Sequence, residues 1–317
     1  MNEAVLERLS QRIEQAERIL IVSHMRPDGD AVSSVLALGL ALQAEDKQVV
    51  MALADGVPAA LRFLPGSEKI VRGVDGDFDL IILVDCGNQD RVGNILNGYR
   101  RVDVNIDHHA SNPLFGEINI VDGDAVSTTE ILARYLPDLG LRITEKIASL
   151  LLAGILIDSQ GFKTANTSPS SLRVSADLIE QGADLQALFF DAITRKTYEA
   201  MNYWGAGLSN LKRDEGMVWT SLSLDDRKAV KYSGRDDADL VNILSAIDGA
   251  EVAIIFVEQD HQRVKVSWRA RSDFDVSQVA QQFEGGGHVA AAGAMISGEL
   301  QEVEEKVVQA TRVALGY

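Results

Sequence analysis

At 317 residues, with 46% apolar and 24% charged residues and no low-complexity tract, the chain is long enough for two globular domains, which excludes a disordered class. A net charge of −17 excludes sequence-independent binding of long duplex nucleic acid, but not a short nucleotide whose charge is met by metal ions and a few arginines. No apolar run approaches a membrane span, no basic segment precedes an apolar block at the start, and the single cysteine, Cys86, forms no internal disulfide, so a cytoplasmic setting without a membrane partner is expected.

Residues 3–17 place Val5, Leu9, Ile13 and Ala16 at helical spacing. A short apolar strand is expected over 18–23 and, after a loop with Pro27 and Gly29, a helix over 30–44. Further strands are expected over 49–54, 80–84 and 102–106. The first three strands are continuously apolar, as in a parallel sheet covered on both faces. Residues 102–106 alternate, with Asp103 and Asn105 on one side, and are expected nearer an edge. Helices are predicted over 126–136, 143–157 and 168–181, with Pro137 stopping the first and Gly182 the third. Residues 185–211 have few breakers before Gly205 and Gly207 and read as a helical connection. Beyond it, strands are expected over 217–222, 251–258 and 264–268, and helices over 240–247 and 303–314. The expected class is α/β: a first domain over 1–190 with a mainly parallel sheet flanked by helices, a helical linker over 191–211, and a smaller α/β domain over 212–317.

Four clusters of ligand-type residues fall in the first 160 residues, each near the carboxyl end of an expected strand or the facing end of a helix. They are His24-Met25-Arg26-Pro27-Asp28-Gly29-Asp30, Val84-Asp85-Cys86-Gly87, Asp107-His108-His109 and Gly154-Ile155-Leu156-Ile157-Asp158-Ser159. That edge is where open α/β sheets bind ligands. Two imidazoles and four carboxylates, with no thiolate set, favour hard or borderline divalent ions, and imidazole tilts the choice from Mg2+ towards Mn2+. The turn through Pro27 and Gly29 could aim His24, Asp28 and Asp30 at one point, Asp85 could bridge two ions, and His108 and Asp158 could complete the second. Such a pair activates a water for in-line attack on a phosphoryl group. His109 would touch the scissile phosphate or help the leaving oxygen, and Asp107 would orient a histidine. Taken singly, Asp-Gly-Asp is ordinarily a turn and Cys86 a small buried residue. Asp158, in a very apolar helix, is harder to dismiss, because a buried unpaired carboxylate is costly.

In the second half, Arg269 and Arg271 stand two apart on an expected strand, share a face and could grasp a terminal phosphate. Gly285, Gly286 and Gly287 let backbone N–H groups approach a phosphate or base, and His288 adds a donor. Without further context, exposed strand arginines and a flexible turn are the plainer readings.

These residues together resemble the DHH/DHHA1 phosphoesterase family. The match comprises His24-x-x-Pro27-Asp28-Gly29-Asp30, Asp85-Cys86, Asp107-His108-His109, and Gly154-Ile155-x-x-Asp158-Ser159-x-x-Phe162. In the second half it comprises Ser267-Trp268-Arg269-Ala270-Arg271 and Gly285-Gly286-Gly287-His288 with Ala291-Ala292-Gly293. Within the family the chain is similar to the bacterial oligoribonuclease (nanoRNase) and pAp-phosphatase branch. The resemblance implies two Mn2+ ions, with Mg2+ or Co2+ as substitutes, and an active-site cleft between the two domains. By position, His24, Asp28 and Asp85 would hold one ion and Asp30, Asp85, His108 and Asp158 the other, while Arg269, Arg271, Gly286, Gly287 and His288 would bind substrate. Departures stand at Ser33, Glu284 and Ala270, where the family often has glycine, glycine and serine.

The implied activity is release of mononucleotides from very short RNA, with removal of the 3′-phosphate from pAp. The alternatives are a phosphodiesterase acting on c-di-AMP or pApA and, from another class, a catalytically silent nucleotide sensor. A homodimer is compatible with the resemblance.

Overall fold

The short apolar runs of the first half pair side by side. In a computed structural model that describes residues 3–99, 102–271 and 274–316, β1 (Arg18–Val22), β2 (Gln48–Ala52), β3 (Leu80–Val84), β4 (Val104–Asp107) and β5 (Ile118–Val121) form a parallel sheet ordered β2-β1-β3-β4-β5. The chain divides into two units, Met1–Arg195 and Lys196–Tyr317. In the first, helices α1 (Glu3–Gln15), α2 (Gly29–Gln43), α3 (Thr128–Tyr135), α4 (Glu145–Asp158), α5 (Pro169–Glu180) and α6 (Leu185–Phe189) accompany the sheet. Strand side chains alternate between two cores. Ile19, Ile21, Ile82 and Val84 join the residues of α2, α3 and α4, whereas Leu20, Val22, Ile81 and Leu83 face Val92 and Ile95. Both faces are covered, as uninterrupted apolar strands require.

The strand order places a topological switch between β1 and β3. From β1 the chain moves to one side of the sheet, from β3 to the other, leaving a crevice at their carboxyl ends.

One expectation is corrected. β4 is an interior strand, between β3 and β5, and all four of its residues are buried. The polar residues that suggested an edge are satisfied internally. Asp103 Oδ2 accepts the Ile81 N–H at 2.8 Å and Oδ1 the Arg12 guanidinium at 3.1 Å. Asn105 donates to the carbonyls of Leu83 and Cys86 and accepts from Asn112. The edge on that side is β5, a strand absent from those expected from the sequence, and β2 forms the other edge.

Residues 185–211 are not one helix. After α6 comes a π-helical turn, Phe190–Thr194, Arg195 is extended, and Thr197 caps α7 (Tyr198–Ser209), whose Tyr203 is fully buried in the second unit. That unit then contains β6 (Lys212–Asp214), β7 (Met217–Leu222), α8 (Leu224–Ala229), α9 (Leu240–Leu244), β8 (Val252–Gln259), β9 (Arg263–Ala270), α10 (Val276–Gln281), β10 (Gly286–His288), β11 (Ala291–Ser297) and α11 (Leu300–Leu315). Its mixed sheet runs β10-β11-β9-β8-β7-β6, with β7 and β8 parallel and the other pairs antiparallel. β8 is apolar on both sides because both are covered: Ile254 and Phe256 pack with α10 and α11, Ala253, Ile255 and Val257 with α7 and α9. Among the described residues no helix is long and apolar enough to cross a membrane.

Candidate metal centre

β1 and β3 deliver His24 and Asp85 to the switch point. His24 is 3% exposed, and its Nδ1 lies 2.8 Å from the Met25 carbonyl, which can only accept. Nδ1 is therefore the donor. Nε2 is left facing Asp85 Oδ2 at 3.6 Å and Asp28 Oδ2 at 3.8 Å. Asp28 caps α2, its Oδ1 accepting the Ala31 N–H at 3.0 Å, so the helix start fixes which oxygen is turned towards His24. Asp85 sits at φ 51°, a left-handed conformation that aspartate tolerates better than most side chains. Its other oxygen, Oδ1, lies 3.6 Å from His108 Nε2 and 3.9 Å from His109 Nδ1. His108 Nε2 is also 3.6 Å from Asp158 Oδ2, at the end of α4.

The donor atoms fall into overlapping groups. Those of His24, Asp28 and Asp85 lie within 4.8 Å of one another, as do those of Asp30, His108 and Asp158, and those of Asp85, His108 and His109. Seven residues from four separate stretches thus meet at one edge, and Asp85 faces both sides. Asp30 is wholly buried at the start of α2: Oδ2 accepts the Thr128 N–H at 2.7 Å, Oδ1 the Thr129 N–H at 3.0 Å and the Thr129 hydroxyl at 2.7 Å.

Close helix packing makes this convergence possible. A Cβ on Gly29 would stand 2.2 Å from Ile157 Cδ1, and one on Gly154 would stand 2.5 Å from the Thr129 side chain and 2.9 Å from Asp30 Oδ1. Glycine at these two positions brings α2, α3 and α4 close enough for Asp30 and Asp158 to approach the same imidazole.

Burial, reinforced by the charges of Asp85 and Asp158, pushes the Asp30 carboxyl well above the usual range, with the Thr129 hydroxyl offsetting part of this. Burial also pushes Asp158 up to about 6 against the pull of His108. For Asp85 burial acts upward too, but His24, His108 and His109 outweigh it and hold the carboxyl low. Burial lowers His24, and its contacts with Asp85 and the Met25 carbonyl overcome that and raise it. His109 is raised chiefly by Asp107, whose Oδ1 lies 2.7 Å from Nδ1. The other Asp107 oxygen accepts from Asn112 at 2.6 Å, so Asp107 is spent on orienting His109.

The other sequence-selected residues belong to the second unit. Arg269, near the end of β9, donates to Asn242 Oδ1 at 3.1 Å, and Arg271 follows the strand. Gly286, Gly287 and His288 form β10 rather than an irregular turn. His288 and Arg269 are both in register with Ala291 of β11, so they occupy one row across three strands. Gly287, at φ 152°, admits no side chain: a Cβ there would stand 2.3 Å from the Ala291 carbonyl oxygen.

Residues 18–155 match the DHH family, N-terminal domain, and residues 228–314 match the DHHA1 domain. A Thermus thermophilus protein named bifunctional oligoribonuclease and PAP phosphatase NrnA is 33% identical over 301 residues, covering 94% of this chain and 90% of that protein. The chain belongs to the DHH phosphoesterase family. A DHH relative from Streptococcus mutans, named probable bifunctional oligoribonuclease and PAP phosphatase NrnA, is 28% identical over 89% of this chain and 91% of its own. The crystal structure of an exopolyphosphatase-related protein from Bacteroides fragilis superposes with a TM-score of 0.88 at 25% identity, covering 99% of this chain and 96% of that one.

The donor set of this DHH chain suits divalent cations. Asp28, Asp85 and Asp158 have histidines as their ion-pair partners among the described residues, and burial raises the carboxyls of Asp30 and Asp158. In its neutral form His24 directs the Nε2 electron pair at two carboxylates. Such a cluster is short of positive charge, and its nitrogen and oxygen donors match Mn2+ or Mg2+ better than a thiolate-preferring ion. Sequence reasoning missed Thr128, Thr129 and Asn112, which bind the acidic residues from segments 5 to 99 positions away. Ser-Thr-Thr-Glu at 127–130 reads locally as an ordinary helix start, and nothing local says which carboxylate its donors meet.

Proposed function

We propose that this DHH phosphoesterase is a Mn2+-dependent phosphodiesterase that degrades very short oligoribonucleotides to mononucleotides in the cytoplasm and removes the 3′-phosphate from pAp. One observation carries the reading: the two oxygens of Asp85 face different histidine sets, Oδ2 towards His24 and Oδ1 towards His108 and His109, as a carboxylate shared by two cations would. His24, Asp28 and Asp85 would hold one ion, and Asp30, Asp85, His108 and Asp158 the other. When bound, such a pair lowers the pKa of a water and neutralises charge at a phosphoryl centre.

The chain's own residues supply the rest. His109, raised and held at Nδ1 by Asp107, keeps a ring N–H available for a phosphate oxygen or the departing oxygen. Arg269, Arg271 and the Gly286-Gly287-His288 strand carry nucleotide recognition in this reading, the arginines on phosphate and the glycines through exposed backbone. The names of the Thermus and Streptococcus relatives support the substrate class.

The test is turnover of labelled di- to pentanucleotides, pAp, pApA and c-di-AMP in Mn2+. Cleavage of the short RNAs and pAp is expected; preference for c-di-AMP or pApA would reassign the substrate, and inertness towards all would overturn the reading. D85N, which removes a donor rather than its support, is expected to cost more than ~100-fold in turnover. Unchanged nucleotide binding with no activity even in the wild type would mark a sensor instead.

A further inference from the structure

Thr128 lies in the first turn of α3, is fully buried, and belongs to none of the motif clusters, yet its hydroxyl reaches Asp85 Oδ1 at 3.1 Å. A carboxylate can only accept, so Thr128 is the donor. We propose that Thr128 is a positioning residue for the cation pair, fixing the plane of the Asp85 carboxylate so that each oxygen is committed to one histidine set. The inference rests on the two-cation reading above.

Three observations support the assignment. Oδ1 is the oxygen facing His108 and His109, and Oδ2 is the one facing His24, so rotation about the terminal torsion of Asp85 would exchange or misdirect the two sets. That torsion is broad for aspartate and needs an external restraint. The neighbouring residues show the same turn acting on the other buried carboxylate. The Glu130 N–H donates to Ser127 Oγ at 3.1 Å, Ser127 and Thr129 hydroxyls lie 2.8 Å apart, and Thr129 Oγ1 donates to Asp30 Oδ1. Because Thr129 spends its proton on Asp30, Ser127 must donate to Thr129, and the chain of donors has one direction. One turn therefore immobilises Asp30 from α2 and Asp85 from β3. Gly154 holds the space for it, since a Cβ there would displace the Thr129 side chain.

The test compares T128V, nearly isosteric but without the donor, with T128S, which retains it; T128A replaces T128V if the valine variant does not fold by circular dichroism. Mn2+ binding is followed by calorimetry, and pairing of the ions by the exchange-coupled electron paramagnetic resonance spectrum of the loaded protein. T128V is expected to bind the second Mn2+ ~10–100-fold more weakly and to show an isolated-ion spectrum where the wild type shows a coupled pair, with T128S close to wild type. A folded T128V with the wild-type coupled spectrum and affinities overturns the assignment. So does a folded T128S as impaired as T128V, because the hydroxyl would then not be the cause. A wild type that binds a single uncoupled Mn2+ instead overturns the two-cation reading, and the proposal with it.

Discussion

A methyl group on Gly154 would stand 2.5 Å from both Oγ1 and Cγ2 of Thr129 and 2.9 Å from Asp30 Oδ1. Neither neighbour can yield, because Asp30 accepts three hydrogen bonds from residues 128 and 129 and Thr129 is bonded on both sides. G154A is therefore expected to lose about 1–3 kcal/mol in urea unfolding and to weaken Mn2+ binding as well; unaltered stability would show that α3 slides freely on α4. Glu284 is the opposite case. It is exposed, at φ 57°, in the turn that follows α10, a conformation glycine adopts without penalty. E284G is expected to gain about 0.5–1 kcal/mol, the relief of the left-handed strain exceeding the added freedom of the unfolded chain. The glycine that family resemblance led one to expect there thus has a backbone reason. Ser33, the other such position, is fully buried in α2, and its hydroxyl finds no partner among the described residues.

At the scale of the element, legibility followed locality. α2, β3 and α4 could be read from sequence because their apolar runs and caps are contiguous, and the proposed cation ligands could be selected because each stands in a short cluster at the end of such a run. β4 could not be placed, since the burial of Asp103 and Asn105 depends on Arg12, Ile81, Leu83, Cys86 and Asn112, none adjacent in the chain. β11 was missed for a related reason: its Ala-Ala-Gly-Ala carries little strand preference and is held by pairing with β9 and β10. A similar non-local device anchors α11 to β6 and β7. Glu304 accepts from Lys212 Nζ at 2.5 Å, Trp219 Nε1 at 2.9 Å and Ser221 Oγ at 2.5 Å. Burial pushes this carboxyl upward, but the three donors outweigh it and hold it below the usual glutamate range. A folded pKa below the unfolded one gives stabilisation that is present above the unfolded value and fades as pH falls through the folded one. E304Q should therefore cost about 1–3 kcal/mol near neutrality and progressively less below pH ~4. A constant difference between the two proteins across that range would assign the loss to packing alone.

Over the whole molecule, the proposed cation ligands and the tryptophans are segregated. His24, Asp28, Asp30, Asp85, His108 and Asp158 all belong to the unit ending at Arg195, whereas Trp204, Trp219 and Trp268 all belong to the unit starting at Lys196. Each unit has its own cores, and none of these cores mixes residues from both. Tryptophan fluorescence thus reports on one unit, while the helical circular dichroism signal includes both. A ligand that binds the native form stabilises what it binds, by about 2.7 kcal/mol at a hundred times its dissociation constant. Saturating Mn2+ is therefore expected to raise a calorimetric melting transition by several degrees and leave the tryptophan-reported midpoint in place, and EDTA should reverse the shift. If both probes rise together, the two cores unfold as one cooperative body despite their separation. If neither rises, the cluster around Asp85 does not bind the ion, and the phosphodiester chemistry proposed for it has no basis.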